Sequence, residues 1–306
     1  MKHLSNNLPV IFSLNSDDLV ASLCKYLNGE TGYYNKRDFP DGESYLCIKT
    51  DVHQRHCIVV ADMSHPNSKF LPLLFLADTL RELGATSVGL IAPYLSYMRQ
   101  DRRFLDGEAI TSKIFAKSLS HHIDYLVTVD PHLHRYHSLD EIYSVPSKVV
   151  QGAPALAKWL KDQSDLLLVG PDSESEQWVS EIAKYSGHPF IIGDKIRHGD
   201  RDVEITLPDV SAYTELTAVI IDDVISSGQT ILCCIDALHN AGIRNIKCAA
   251  IHGIFADGVD QKLLDAGLSA LITSNTIAHS SNVVDISPLL IEPVNECMLQ
   301  VSERIK

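Results

Sequence analysis

The sequence predicts an α/β fold in which two similar domains each form a mainly parallel sheet flanked by helices. Three observations carry this. Uninterrupted apolar runs such as HCIVVADM (56–63), YLVTVD (125–130), LLLVG (166–170) and AVII (218–221) suit strands buried on both faces, because they lack the alternation of a half-exposed strand. Segments of helical spacing separate these runs. The order strand, loop, helix, glycine, strand also recurs, LRELGATSVGLIAPY (80–94) matching LHNAGIRNIKCAAIHG (238–253), as a repeated α/β unit requires.

A strand is expected at Pro9 to Leu14, then a helix from Asp17 to Leu27 with Leu19, Val20, Leu23 and Leu27 on one side and Asp17 in its first turn, where an acid suits the dipole. Pro40-Asp41-Gly42 marks a turn between two extended segments. His56 to Met63 reads as a strand, Leu71 to Leu83 as a helix closing at Gly84, and Thr86 to Pro93 and Tyr125 to Asp130 as strands. The stretch VPSKVVQ (145–151) is expected to link domains 1–146 and 147–306. Beyond it come a helix ending near Trp159 to Lys161, strands at Leu166 to Gly170 and Ala218 to Ile221, and the helix ILCCIDALHNAG. A helix at Gly258 to Ala266, a strand at Ala270 to Ser274 and a closing helix at Ser287 to Ile305 complete the chain.

At 306 residues the chain has room for two substantial cores, and 45% hydrophobic residues fit a globular protein. The seven cysteines (24, 47, 57, 233, 234, 248, 297) form no CxxC pair, so reduced core thiols are expected rather than a disulfide framework. A net charge of −13 argues against a nucleic-acid partner. An anionic small molecule then needs converging Lys and Arg, or Mg2+. No run approaches the roughly 18 apolar residues of a membrane span, and the segment MKHLSNNLPVIFSL lacks a signal-peptide core. A cytoplasmic protein with no membrane partner is expected.

The richest chemistry lies at Ala218 to Thr230, AVIIDDVISSGQT. Asp222 and Asp223 are expected at a strand's carboxyl end, where ligands of open α/β sheets bind. The turn Ser226-Ser227-Gly228-Gln229-Thr230 then opens a helix, whose free N–H groups and dipole favour a phosphate. Gly228 lets the backbone approach closely. The paired acids suit sugar hydroxyls or a magnesium ion. No lysine of the P-loop kind follows. After another strand, PYLSYMRQDRR (93–103) clusters Arg99, Gln100, Asp101, Arg102 and Arg103; a guanidinium there grips phosphate or stacks on a purine. The histidines of PHLHRYH, at 132, 134 and 137, have neither helical spacing nor a cysteine beside them, which argues against zinc. Asp172 ends a strand, while Glu174 and Glu176 read as helix-start acids. In FIIGDKIRHGDR (190–201), Lys195 and Arg197 alternate and so project to one face of an extended flap, an arrangement suited to transferring phosphoryl oxygens.

The Asp-Asp strand end with its Ser/Gly/Thr turn resembles the loop that binds phosphoribosyl diphosphate (PRPP) in type I phosphoribosyltransferases and PRPP synthetases. Ser226, Ser227 and Gln229 stand where many members carry an acid, Thr and Gly. The string PY..Y.RQDR, met here from Pro93 to Arg102, is a signature of PRPP synthetases, and the resemblance runs in order along nearly the whole chain. It implies two domains like type I phosphoribosyltransferases and a ribose-phosphate diphosphokinase, converting ATP and ribose 5-phosphate to AMP and PRPP. By resemblance, Phe39, Asp41, Gly42 and Glu43 form the adenine pocket, commonly lent by a neighbouring subunit, so a homo-oligomer is implied. Arg99, Gln100, Asp101 and His132 contact ATP, and Asp130, His132 and Asp172 serve Mg2+. Asp222, Asp223, Ser226, Ser227, Gly228, Gln229 and Thr230 hold ribose 5-phosphate. Lys195 and Arg197 match the catalytic pair of the family's flexible loop. The acidic loop with Asp106 and Glu108, basic in many members, points to a class divergent from the phosphate-activated one. A catalytically silent regulatory homologue and a phosphoribosyltransferase are the alternatives.

Overall fold

The structure, a computed structural model, describes residues 8–133, 135–197 and 203–305. By backbone contacts the chain divides into two units, residues 1–151 with 287–306 and residues 152–286. The first unit carries β1 (Val10–Ser13), α1 (Asp17–Tyr26), β2 (Glu30–Gly32), β3 (Tyr34–Asp38), β4 (Ser44–Ile48), β5 (His56–Val60), α2 (Asn67–Glu82), β6 (Ser87–Ala92), α3 (Thr111–Ser120), β7 (Tyr125–Val129) and β8 (Ser147–Val150). Strands β3 and β4 form an antiparallel hairpin apart from the main sheet, whose order is β2-β1-β5-β6-β7-β8. Every pairing in that sheet is parallel.

The second unit carries α4 (Ala153–Lys161), β9 (Leu166–Gly170), α5 (Glu176–Ser186), β10 (Phe190–Ile192), β11 (Asp194–Arg197), β12 (Val203–Thr206), β13 (Thr217–Ile225), α6 (Gln229–Asn240), β14 (Ile246–Gly253), α7 (Val259–Asp265), β15 (Leu268–Ser274) and β16 (Asn282–Val284). Its parallel sheet runs β10-β9-β13-β14-β15-β16, with β11 and β12 forming a separate antiparallel ribbon. Position for position the two orders coincide, so the chain repeats one α/β fold, as the recurring strand, helix, glycine order predicts. The apolar runs account for the two cores. Ile58, Val59, Leu90, Ile91, Leu126 and Val127 in the first sheet, and Leu168, Val169, Val219, Ile220 and Ala249 in the second, have no exposed surface. Each fully buried aliphatic side chain of this kind contributes about 1.5–3 kcal/mol. Among the described residues no helix is long and apolar enough to cross a membrane.

Two expectations about the domain limits are corrected. The stretch at 145–151 forms β8, which pairs with β7 from Leu126↔Ser147 to Val129↔Val150, so it is a sheet edge rather than a linker. Pro146 masks it in the sequence, yet Lys148-Val149-Val150 suffices for a short strand. The last helix, α8 (Ser287–Ile305), packs on α1 and strands β6 to β8 of the first unit rather than closing the second. Lys148 anchors it through an ion pair with Glu296 at 2.6 Å.

On β7, Tyr125 is wholly buried, and its ring covers Gly89, where a Cβ would lie 1.9 Å from the ring Cζ. Among the described residues the Tyr125 hydroxyl has no hydrogen-bond partner, and burial holds its phenol neutral at any physiological pH. Tyr125→Phe removes an unsatisfied polar atom without changing shape. It is expected to stabilise the fold by about 1 kcal/mol, raising Tm by roughly 2–4 °C in a melt followed by circular dichroism. A fall in Tm would show that the hydroxyl has a partner after all.

Candidate active site

In the second unit the chain leaves β9 for β10 on one side and returns at β13 on the other. The crevice outside the carboxyl ends of β9 and β13 is therefore the topological switch point of an open α/β sheet, where ligands bind. β13 is longer than its apolar core predicts and runs on through both acids to Ile225, paired there with β14. The acids thus lie within the strand, not beyond its end. They lie past the pairing of β13 with β9, which extends only to Ile220↔Val169. The Asp223 N–H donates to Asp222 Oδ1 at 2.9 Å. Burial first, then the charges of Asp223 and Asp172, hold the Asp222 carboxyl well above the usual carboxylate range.

The turn after β13 is closed from the far side by the Ala256 N–H, which donates to the Ser226 carbonyl at 3.1 Å. Gly228 takes the left-handed conformation (φ 69°) as N-cap of α6, and a Cβ there would meet Val259 Cγ2 at 2.8 Å. Glycine is needed here for backbone shape and packing, beyond the close ligand approach that sequence alone implies. No side chain caps α6, which leaves its first N–H groups for a ligand. The helix starts at Gln229, so the last two residues of the expected turn, Gln229 and Thr230, belong to it. The Gln229 amide donates along the helix to Cys233 Sγ at 3.6 Å.

Two further elements meet this turn. Asp172, beyond β9, accepts from the Ser175 N–H at 3.3 Å and caps a short 3-10 turn. Lys195, on β11, reaches between them, its Nζ donating to Asp172 Oδ2 at 3.2 Å and to Thr230 Oγ1 at 3.1 Å. The extended flap begins as a ribbon with Lys195 opposite Ile205 and Arg197 opposite Val203. The Arg197 side chain and residues 198–202 lie outside the described residues. The structure brings Asp172, Lys195, Asp222, Asp223 and Thr230 together at one crevice.

In the first unit the corresponding crevice, between β1 and β5, is filled by the chain itself. Lys69 Nζ donates to Asp62 Oδ2 at 2.9 Å and to Ser64 Oγ at 3.1 Å, and Asn15 Nδ2 donates to Asp62 Oδ2 at 3.1 Å. The residues expected at ATP follow the next strands instead. Arg99 (exposed) and Gln100 come after β6, and Asp130 and His132, both half-buried, after β7; His134 lies outside the described residues. Asp130 adopts a positive φ of 38°, and its N–H donates to the Val150 carbonyl at 3.0 Å. Asp101 departs from the expectation of a nucleotide contact. Its side chain is 1% exposed and accepts from Arg135 Nη1 at 2.7 and 3.0 Å, so the carboxylate already has its partner. The β3–β4 hairpin closes through the Phe39 N–H to the Glu43 carbonyl at 2.7 Å, with Gly42 at φ 90°. Phe39, Asp41, Gly42 and Glu43 are all exposed, and Arg37 lies 4.6 Å from the ring centroids of both Phe39 and Tyr45.

An anion-binding turn beside a cluster of carboxylates, set at a switch point, suits a phosphorylated sugar, and the class so defined is a sugar-phosphate transferase. Residues 9–122 match the family model for the N-terminal domain of ribose phosphate pyrophosphokinase, and residues 138–285 match the phosphoribosyl transferase domain. The ribose-phosphate pyrophosphokinase of Saccharolobus solfataricus is 34% identical over 263 residues, covering 84% of this chain and 88% of that one. The enzyme of the same name from Methanobrevibacter smithii is 29% identical over 285 residues, covering 89% and 95%. In fold, the crystal structure of phosphoribosylpyrophosphate synthetase from Mycobacterium smegmatis matches 96% of this chain and 99% of its own, with a TM-score of 0.79 at 23% identity. The chain belongs to the ribose-phosphate pyrophosphokinase family. It is an enzyme of nucleotide biosynthesis that transfers a diphosphoryl group to ribose 5-phosphate.

Proposed function

We propose that the first unit holds ATP and the second holds ribose 5-phosphate, so that the products are AMP and PRPP. The observation that carries this is the Lys195 ammonium, tied at once to Asp172 and to the phosphate turn at Thr230. Ser226 to Thr230 bind the 5-phosphate through α6 N–H groups and hydroxyls, and Asp222 and Asp223 hold the ribose hydroxyls. The O1 hydroxyl attacks the β-phosphorus of ATP in line, the bond from that phosphorus to the α–β bridging oxygen breaks, and AMP departs. Positioning and charge stabilisation supply most of the catalysis. Lys195 and Arg197 stabilise the charge on the transferring oxygens.

Mg2+ bound to the triphosphate supplies charge neutralisation, and Asp130, His132 and Asp172 are the residues that would hold it. Among the described residues no group of three or more His, Cys, Asp or Glu forms a ready cage. Magnesium keeps several waters and is bound by one or two carboxylates together with substrate phosphates, and Asp130 and Asp172 are carboxylates that could serve it so. The exposed hairpin carrying Phe39 to Glu43 fits an adenine pocket completed by a second copy of the chain. The presence of Lys195 and Asp172 supports an active enzyme over a silent homologue. Arg99 and Gln100 favour ATP as substrate over the base that a phosphoribosyltransferase would use.

Arg99→Ala tests the division of labour. Losing one charge-assisted contact costs about 1.5–3 kcal/mol, so KM for ATP is expected to rise by roughly ten- to a hundredfold, with KM for ribose 5-phosphate unchanged within about twofold. Initial rates of AMP formation measure both. Equal movement of the two KM values would assign Arg99 elsewhere.

A further inference from the structure

We propose that Asp101 and Arg135 form a positioning pair that fixes the nucleotide-contacting residues Arg99 and Gln100 against the loop carrying His132. The inference rests on the proposed function, in which those two loops form the ATP side of the enzyme. The family resemblance implies that Asp101 contacts ATP; the geometry gives it another task.

The Asp101 carboxylate is buried, and both its oxygens accept from Arg135 Nη1, at 2.7 and 3.0 Å, across 34 residues of sequence. The next residue repeats the tie through the backbone. The Tyr136 hydroxyl donates to the Asp101 carbonyl at 3.0 Å. Its single proton is thereby used, so the 3.1 Å contact with Ser112 Oγ has Ser112 as donor. The Ser112 N–H, at the start of α3, donates in turn to the Gln100 carbonyl at 3.3 Å. Successive carbonyls, those of Gln100 and Asp101, are thus fixed from α3 and from the His132 loop. Arg102 and Arg135 both lie over the ring of Phe104, at 4.6 and 5.3 Å from its centroid, extending the clasp past the loop.

Upstream, Tyr97 sits at a positive φ of 60°, strained for a side chain of its size, packs on Phe115 at 4.8 Å and hydrogen-bonds Asn67. Between these two anchors only Arg99 presents an exposed, unclasped side chain, and Gln100 is half-buried beside it. A short loop pinned at both ends, with its cationic tip free, is pre-organised for a polyanionic ligand. Removing Arg135 leaves a buried carboxylate without its partner, which the loop relieves by opening. The ligand then has to order the loop again, and that loss appears as weaker binding of ATP alone.

The experiment compares Arg135→Ala, Arg135→Lys, Asp101→Asn, Tyr136→Phe and Arg99→Ala in the full chain. It measures KM for ATP and for ribose 5-phosphate, affinity for a non-hydrolysable ATP analogue by calorimetry, and Tm. Arg135→Ala is expected to raise KM and Kd for the nucleotide by about tenfold or more, with KM for ribose 5-phosphate within about twofold. Arg135→Lys should recover part of the loss, and Asp101→Asn and Tyr136→Phe should each show a smaller rise of the same pattern. Tyr136→Phe and Asp101→Asn keep the test alive if Arg135→Ala does not fold. Unchanged nucleotide affinity in the folded variants, or equal rises in both KM values, overturns the proposal. If Arg99→Ala raises KM for ATP and the Arg135, Asp101 and Tyr136 variants do not, the positioning pair alone falls. If Arg99→Ala has no effect either, the assignment of this loop to ATP falls with it.

Discussion

Lys195→Ala is expected to lower kcat by about 10²- to 10³-fold, with KM for either substrate changed less than about threefold. Lys195 already spans the crevice, bonded to Asp172 and Thr230, and in the proposed mechanism its ammonium meets the transferring phosphoryl oxygens. Negative charge on those oxygens is redistributed as the β-phosphorus moves, so a cation placed there gains most at the transition state and little in the ground-state complex. A lysine is also a strongly hydrated point charge, which the planar fork of arginine does not reproduce, so Lys195→Arg should restore only part of the rate. Steady-state kinetics on both variants gives the split. A rise in KM with kcat intact would make Lys195 a ground-state binding residue instead.

Asp222→Asn is expected to stabilise the ligand-free protein while damaging its use of ribose 5-phosphate. The Asp222 carboxyl is pushed up by burial and by the neighbouring charges of Asp223 and Asp172. With the folded value above the unfolded one of about 3.9, the native state binds the extra proton. The stability tied to this group is then present in full below the unfolded value and is lost as pH rises through the folded one. Asparagine keeps the acceptor for the Asp223 N–H, held at 2.9 Å, and removes the charge. Tm of the variant should therefore exceed that of the parent by a few degrees near neutral pH, roughly 2–4 °C per kcal/mol gained. The advantage should shrink toward pH 4. Losing a charged partner of the sugar hydroxyls costs about 1.5–3 kcal/mol, a ten- to hundredfold fall in kcat/KM for ribose 5-phosphate. Melts across pH with matched initial rates would show the trade. A variant no more stable than its parent at neutral pH would mean that the Asp222 charge is compensated in the fold.

The fold was legible because buried parallel strands leave continuous apolar runs, and because the repeated glycine-ended helix announces the second copy of the unit. What was not legible has specific causes. β8 follows a proline and is only four residues long, so its Val149 and Val150 gave too little signal. Asp222 and Asp223 looked like residues beyond a strand because acids interrupt the apolar run, whereas pairing with β14 carries the strand through them. α8 packs on the first unit, a long-range contact with no local signature. In the candidate site, a strand end, the flap and the turn around Gly228 pointed to Asp172, Lys195 and Thr230 separately. Their meeting depends on strand order, which spacing alone does not give. Asp101 was read with its neighbours as one cationic cluster, and Arg135 carried no motif that would have paired the two.

Phosphorus NMR of the purified protein with ATP, Mg2+ and ribose 5-phosphate tests the central claim most directly. AMP and a new sugar diphosphate should appear together in equal amounts, only when ribose 5-phosphate is present, and at a rate lowered by at least about a hundredfold in Lys195→Ala. ATP that stays intact while still binding, or AMP formed without the sugar diphosphate, would contradict diphosphoryl transfer at this site.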